Sequence, residues 1–170
     1  MPTPLEIFRQ GKDEFFANHT NSPLTPEQRE RFSGLSYFPE NSALQLEIDV
    51  TPFEEQELVQ LPTSTGDLKT YTRYGRFSFT VNGEQAELTL FHAPYGFFLL
   101  FVDSLAGSET YGAGRYLEPE QLPDGKFLID FNLAYNPYCA YNDAWNCPIP
   151  PAENRLKVPI RAGEKNFDDH

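Results

Sequence analysis

Positive charge is scarce in this sequence. Lysine and arginine total 13 against 25 aspartates and glutamates, a formal net charge of −12. Nucleic-acid recognition needs a basic face to meet the phosphates, so that class of function is excluded. An anionic membrane surface is excluded by the same sign of charge. The acidity itself reads as a solvated surface tuned for solubility. Long apolar runs are missing too. The longest, Phe97 to Val102, suits a buried strand and falls far short of the roughly 20 residues that cross a bilayer. The opening MPTPLEIFRQGKDEF lacks a basic stretch followed by an apolar one, so no secretory signal is expected and a cytoplasmic location is. Cysteine is nearly absent: Cys139 and Cys147 are the only two, and in a reducing compartment they are expected as thiols. Methionine and tryptophan occur once each.

Aromatic residues are what the chain has in quantity. Fifteen phenylalanines and nine tyrosines point to an aromatic core of the kind strands favour. At 170 residues the chain suits one domain with a substantial core. The expectation is a single domain over 1–170, with a helical packing segment at 1–40 and a β domain at 41–170.

Two helix starts share one signature. Thr3-Pro4-Leu5-Glu6 and Thr25-Pro26-Glu27-Gln28 each place a threonine cap before proline, with an acid or amide three residues on. The first predicts a helix from Pro4 to about Asn18, with Leu5, Phe8, Phe15 and Phe16 on one face and Lys12 interrupting it. The second predicts a shorter helix to about Phe32. This segment reads as a packing device more than a site.

From Ser42 onward the period changes to two. Leu44, Leu46, Ile48 and Val50 alternate with polar residues up to Pro52, a half-buried strand. Further strands are expected at Glu57–Leu61, Leu68–Tyr74, Phe97–Asp103, Ala113–Leu117, Lys126–Asn132 and Leu156–Ile160. Phe77 to Val81 and Ala86 to Leu90 flank Asn82-Gly83, the strongest hairpin signal in the chain. Eight or nine short strands without βαβ alternation give a mainly β, antiparallel fold, an open barrel or a sandwich, with one or two short N-terminal helices packed on it.

The second half carries motifs that resemble a known family. Glu109-Thr110-Tyr111-Gly112-Ala113-Gly114-Arg115-Tyr116-Leu117, Asp130-Phe131-Asn132, Ala134-Tyr135-Asn136-Pro137, Cys147-Pro148 and Pro150-Pro151 carry the likeness. Glu153-Asn154-Arg155-Leu156 and Ala162-Gly163-Glu164-Lys165 complete it, and Phe32-Ser33-Gly34-Leu35 with Tyr37-Phe38-Pro39 extend it into the first half. Together they resemble the uncharacterised domain of unknown function (DUF) 1684 family. Leu133 stands where the resemblance leads one to expect a polar or basic residue. The likeness implies a family and no activity, so chemistry rests on the residues.

Asp130 to Asn154 is the stretch in which a site is expected. From Tyr135 on it shows neither period, yet Tyr135, Tyr138, Tyr141 and Trp145 argue against disorder, and long ordered loops in compact domains are commonly functional. Arg115, beside two glycines, can hold a carboxylate or phosphate; alternatively it pairs with Asp130 or Glu153 inside the fold. Asp130 and Asn132 fall on one face of a strand, as the floor of a pocket or as a buried network. Cys139 and Cys147 are separated by seven residues, too many for a zinc knuckle. With His92, the one histidine away from the chain's ends at His19 and His170, they make a weak metal set, and Cys139 with His92 makes a nucleophile pair. Two small buried thiols packing the loop is the simpler reading. Asn136-Pro137 and the Pro148–Pro151 run could hold a cis peptide bond, and Glu153-Asn154 and Glu164-Lys165 read as surface pairs or the rim of the same pocket.

The leading expectation is a domain that binds a small polar or anionic ligand at one end of the β-structure. Tyr111, Arg115, Asp130, Asn132, Tyr135, Asn136, Trp145, Glu153 and Asn154 would line the site, and no cofactor is expected. The alternatives are a hydrolase-like enzyme using a metal or a cysteine thiol at the same pocket, and a structural or interaction protein without a ligand. Oligomeric state is not written in these residues.

Overall fold

The computed structural model describes residues 1–168. Helix α1 (Pro4–Asn18) begins as expected: the Glu6 N–H donates to Thr3 Oγ1, and the Thr3 N–H donates back to the Glu6 carboxylate. Helix α2 (Pro26–Arg31) repeats this with Thr25 and Gln28. Each reciprocal pair satisfies two N–H groups that a helix start otherwise leaves unbonded.

Nine strands follow among the described residues: β1 (Gln45–Ile48), β2 (Thr51–Pro52), β3 (Leu58–Pro62), β4 (Leu68–Val81), β5 (Glu84–Ala93), β6 (Gly96–Phe101), β7 (Arg115–Leu117), β8 (Glu120–Gln121) and β9 (Phe127–Asp130). They form two antiparallel sheets, β2-β4-β5-β6-β7 with β3 also on β4, and β1-β9-β8. Neither sheet closes on itself, so the architecture is a sandwich and not a barrel.

The β4–β5 hairpin turns at Asn82 (φ 50) and Gly83 (φ 82), the two left-handed residues such a tight turn requires. The stretches expected as separate strands at Leu68–Tyr74 and Phe77–Val81 are one strand, bulged between Arg73 and Gly75. The bulge divides its outer edge, so that β3 pairs with the first part and β2 with the second. The strand expected at Leu156–Ile160 does not form. Leu156 N–H bonds Val102 O at 2.7 Å, but Ile160 N–H turns to the Asp103 carboxylate at 2.8 Å. Main-chain pairing reaches the Val158 carbonyl, which accepts from the Ser104 N–H at 3.1 Å, and stops there, because Ile160 N–H is taken by Asp103 and the Ile160 carbonyl by Arg115.

The larger sheet is buried on both faces over β6, β7 and the adjoining part of β5, while the hairpin end of β4 and β5 exposes Ser78, Thr80, Gln85 and Glu87 on one face. Phe77, Phe79, Leu88, Leu90, Leu99 and Phe101 meet Phe127 and Ile129 of the small sheet together with Val158 and Ile160. Because side chains alternate along a strand, Tyr71, Phe91, Phe98, Leu100 and Tyr116 point the other way. That second face is covered by the irregular segment 135–151. Helix α1 packs on the segment in turn, with Phe16 edge-on to Tyr138 and Tyr141. No peptide bond among the described residues is cis, the two proline stretches of this segment included. No helix among the described residues is long and apolar enough to cross a membrane.

Of the two glycines before Arg115, only one is demanded by geometry. Gly114 has φ 98, and a Cβ there would lie 2.5 Å from the Phe101 carbonyl oxygen. At Gly112 the nearest atom would be 3.8 Å away. Gly114→Ala is therefore expected to lose about 2–4 kcal/mol in urea unfolding. Gly112→Ala should stay within roughly 0.5 kcal/mol of the parent.

Candidate functional site

Segment 135–151 is held at both ends by main-chain bonds to the large sheet. Tyr116 and Tyr135 exchange N–H···O bonds of 2.8 and 3.0 Å, and Ile149 N–H reaches the Pro62 carbonyl at 2.8 Å. Between these anchors the segment stands off the sheet and, with α1, borders an open cavity of about 830 Å³. Its walls are Tyr71, Phe98 and Tyr116 from the sheet, Ile7, Phe8 and Gly11 from α1, and Tyr135, Tyr138 and Trp145 from the segment. Tyr95 stands at its edge, largely exposed, and Trp145 is 38% exposed. Charged groups in the lining are few: Lys12, Lys69 and Glu118.

Each polar group is placed by a bond. The Tyr135 hydroxyl donates to the Glu118 carboxylate at 2.5 Å, and the Lys12 ammonium lies 5.1 Å from the centre of the Tyr135 ring. Lys12 Nζ also pairs with Glu164. Lys69 Nζ donates to the Asn146 carbonyl at 3.2 Å. Burial, and then the Glu118 bond, raises the Tyr135 hydroxyl well above its ordinary range, while burial pushes Tyr71 up to about 12. These hydroxyls are therefore neutral hydrogen-bonding groups at physiological pH.

Of the nine residues expected to line a site, Tyr135 and Trp145 reach this cavity. Arg115 does not. It is 1% exposed, with Nη1 donating to the Ala162 and Glu164 carbonyls at 2.5 and 3.0 Å and Nη2 to Ile160 at 2.9 Å. Its carboxylate neighbour is Asp103 at 3.7 Å, neither Asp130 nor Glu153. Burial pulls the guanidinium down to about 10, against the pull of Asp103 and then Glu164, so it stays charged at neutral pH. Buried and bonded inward through both terminal nitrogens, it is not presented to an external anion.

Asp130 and Asn132 do not share a strand face. The strand ends at Asp130, whose Oδ1 accepts from the Asn132 N–H at 3.0 Å and starts a 3₁₀ turn over Phe131–Leu133. Asn132 is buried and exchanges bonds of 2.8 and 3.0 Å with the Asn41 main chain, and Leu133 is 38% exposed. Asn136 is buried under the Glu164 carboxylate and the Lys165 carbonyl. Asn154, wholly buried, bonds the Thr89 main chain twice and the Leu100 carbonyl once, as a strand residue would. Glu153 pairs with Arg73 at 2.7 Å and accepts from the Thr89 hydroxyl, and it does not line the cavity. Glu164 is no surface group either: 2% exposed, it receives Lys12, the Tyr141 hydroxyl and the Asn136 N–H.

Tyr111, Cys139 and Cys147 line a second cavity, of about 250 Å³, behind the same segment. Cys139 N–H donates to Cys147 Sγ at 3.4 Å, and the Tyr111 hydroxyl lies 3.7 Å from Cys139 Sγ. The Cys139 thiol is held near 6, first by its hydrogen bond with Cys147 and then, against burial, by Tyr111 and Ser64; Cys147 is pushed the opposite way. The sequence shows no helix start that would lower a thiol, and the lowering comes instead from this cluster of neighbours. His92 is absent from it. Phe91 and Ala93 face the cysteines, so His92 between them points to the opposite face, exposed and against Phe97. The metal set and the cysteine–histidine pair are therefore not assembled. Among the described residues no three His, Cys, Asp or Glu side chains converge as metal ligands, and His170 lies outside those residues.

What the sequence reading missed is α1. Ile7 and Phe8 are about half exposed, at 57% and 49%, and Lys12 breaks the apolar face because it reaches Glu164. The helix is a wall of the cavity as well as a packing device. The signal was present in that exposed apolar pair and in the charged residue on the inner face.

A two-sheet antiparallel sandwich with a helix-and-loop cover, hollowed beneath the cover, is the class these features define. The chain belongs to the family described as "Protein of unknown function (DUF1684)", whose model matches residues 30–165. Among solved structures it is similar to the solution NMR structure of the uncharacterized protein from gene locus rrnAC0354 of Haloarcula marismortui. The two are 39% identical with a TM-score of 0.71, covering 98% of this chain and 94% of that one. No curated protein matches the chain.

Arg115→Met removes the charge but leaves Asp103 and the Ile160, Ala162 and Glu164 carbonyls buried without their donor. The expected loss is about 3–5 kcal/mol in urea unfolding. Glu153→Gln breaks a partly exposed pair and is expected to cost no more than about 1 kcal/mol in the same measurement.

Proposed function

We propose that the protein binds a small amphipathic molecule, with an apolar or aromatic body and one anionic group, in the cavity between α1 and the second face of the large sheet. The observation that carries this is the lining itself: aromatic walls around about 830 Å³, with charge confined to Lys12, Lys69 and Glu118. That volume lies in the usual range for small-molecule sites, which are apolar with a few placed polar groups. An apolar body would displace water from Phe98, Tyr71 and Trp145, while an anionic group would meet the lysines. Glu118, held by Tyr135, sets which end of the molecule can approach it. A ligand polar throughout would leave most of this lining uncompensated.

The probe that tests this is 8-anilinonaphthalene-1-sulfonate, read through Trp145, the single tryptophan. Saturable one-to-one binding with quenching of Trp145 is expected, and the neutral N-phenyl-1-naphthylamine should bind about tenfold more weakly, a difference of roughly 1.4 kcal/mol. Gly11→Phe fills the cavity from α1, where a Cβ meets nothing within 4 Å. It should abolish binding without lowering the unfolding midpoint, because glycine is a poor helix former. Binding that survives Gly11→Phe unchanged, or no saturable binding to the parent, sinks the reading.

A further inference from the structure

Cys147 also borders the larger cavity, but both cysteines line the smaller one, and the chemistry of the pair does not depend on a ligand in the larger. They are buried, at 6% and 8% exposure, yet their sulfurs are not simply packed among carbon atoms. Each has a polar partner: the Cys139 N–H donates to Cys147 Sγ, and the Tyr111 hydroxyl lies 3.7 Å from Cys139 Sγ. The main chain that carries them is fixed from both sides. Cys139 lies in the 3₁₀ turn Tyr138–Ala140. Cys147 is tied to Ser64 in both directions, its N–H to Ser64 Oγ at 3.1 Å and its carbonyl accepting the Ser64 N–H at 2.9 Å. Both cysteines line a cavity of about 250 Å³, together with Ser64, Tyr111 and Asp143. Packing alone requires neither the donors nor the space.

We propose that Cys139 and Cys147 form a two-electron redox site at which a small hydroperoxide is reduced and the pair becomes an intramolecular disulfide. Cys139 is the attacking sulfur. Its thiolate takes the distal oxygen of the peroxide, a sulfur–oxygen bond forms as the oxygen–oxygen bond breaks, and hydroxide (or alkoxide) leaves and is protonated to water or alcohol. Cys147 then attacks the sulfenic sulfur. The sulfur–sulfur bond forms, and the sulfenic hydroxyl departs with the Cys147 proton as a second water. The two thiols lose two electrons and two protons in all, and the peroxide gains both. The Tyr111 hydroxyl, 3.7 Å from Cys139 Sγ, can donate to the thiolate, and Cys147 is already within contact of its partner residue.

Hydrogen peroxide added to the full-length reduced protein is the test. Thiol titration is expected to fall from two to zero, with peptide mapping showing a Cys139–Cys147 link and dithiothreitol restoring both thiols. In Cys147→Ser, dimedone should trap a sulfenic acid on Cys139; in Cys139→Ser, Cys147 should remain a thiol. The oxidation rate of the parent should reach half its plateau near pH 6, where Cys139 ionises. At that pH it should exceed a free peptide thiol about tenfold, since a larger thiolate fraction outweighs lower nucleophilicity. The wild-type pH profile decides the matter even if a serine variant fails to fold. Two thiols surviving peroxide that oxidises glutathione, a rate that rises only toward pH 8.5–9 as for a free thiol, or Cys147 oxidised at the parent rate in Cys139→Ser would each overturn the proposal.

Discussion

A sheet that is apolar on both faces needs two covers, and this chain has only one further sheet to offer. The small sheet and the strip through Val158 and Ile160 take the first face by interlocking side chains, and the result is dense. The second face is left to chain without a period. Irregular chain can lie over a core only if its main-chain N–H and C=O groups find partners, because buried ones are costly to leave unpaired. This need accounts for much of the composition of the stretch after Asp130. Asn154 stands in for a strand across β5 and β6, Asn132 ties down Asn41, and Asp130 caps the turn between them. An irregular cover also touches the sheet at separated points, and the spaces between those points are the two cavities.

Electrostatics follow the same division. In a chain with so many more acids than bases, the informative charges are the cations placed inside. Arg115 holds the last described segment to the sheet through three carbonyls, and Lys12 joins α1 to Glu164 beneath the cover. Glu164 in turn receives Tyr141 and the Asn136 N–H, so one buried carboxylate links the helix, the cover and the C-terminal strip. Surface pairs such as Arg161 with Glu109 add little by comparison.

Much of the fold was legible because its signals are local. Thr3 and Thr25 mark the helix starts, Asn82-Gly83 marks the hairpin, and the alternation through β1, β5 and β9 marks which side chains go inward. The division of the β4 edge was not legible, because it depends on where β2 and β3 arrive from elsewhere. The Leu156–Ile160 strip read as a strand because its alternation is real, but its last N–H and carbonyl are taken by side chains, Asp103 and Arg115, the latter 45 residues earlier. The site was harder still. Polar residues drew attention as potential ligand contacts, but Arg115, Asn132, Asn136 and Asn154 are polar because the irregular cover must be bonded down. The residues that enclose space are aromatic, and in a chain this rich in tyrosine and phenylalanine nothing local separates a cavity wall from a core.

The carbonyl partners of Arg115 lie 45 to 49 residues further along the chain, while its carboxylate neighbour Asp103 precedes it. During synthesis β7 is therefore made well before the carbonyls that accept from its guanidinium exist, and until then those N–H groups keep water as their partner. The edge strand cannot settle into the sheet on its own, so closure of the sandwich waits for residues 160–164 to emerge. A nascent chain stopped short of them holds a hairpin and an open sheet edge, and the order of manufacture becomes part of how the molecule is held shut.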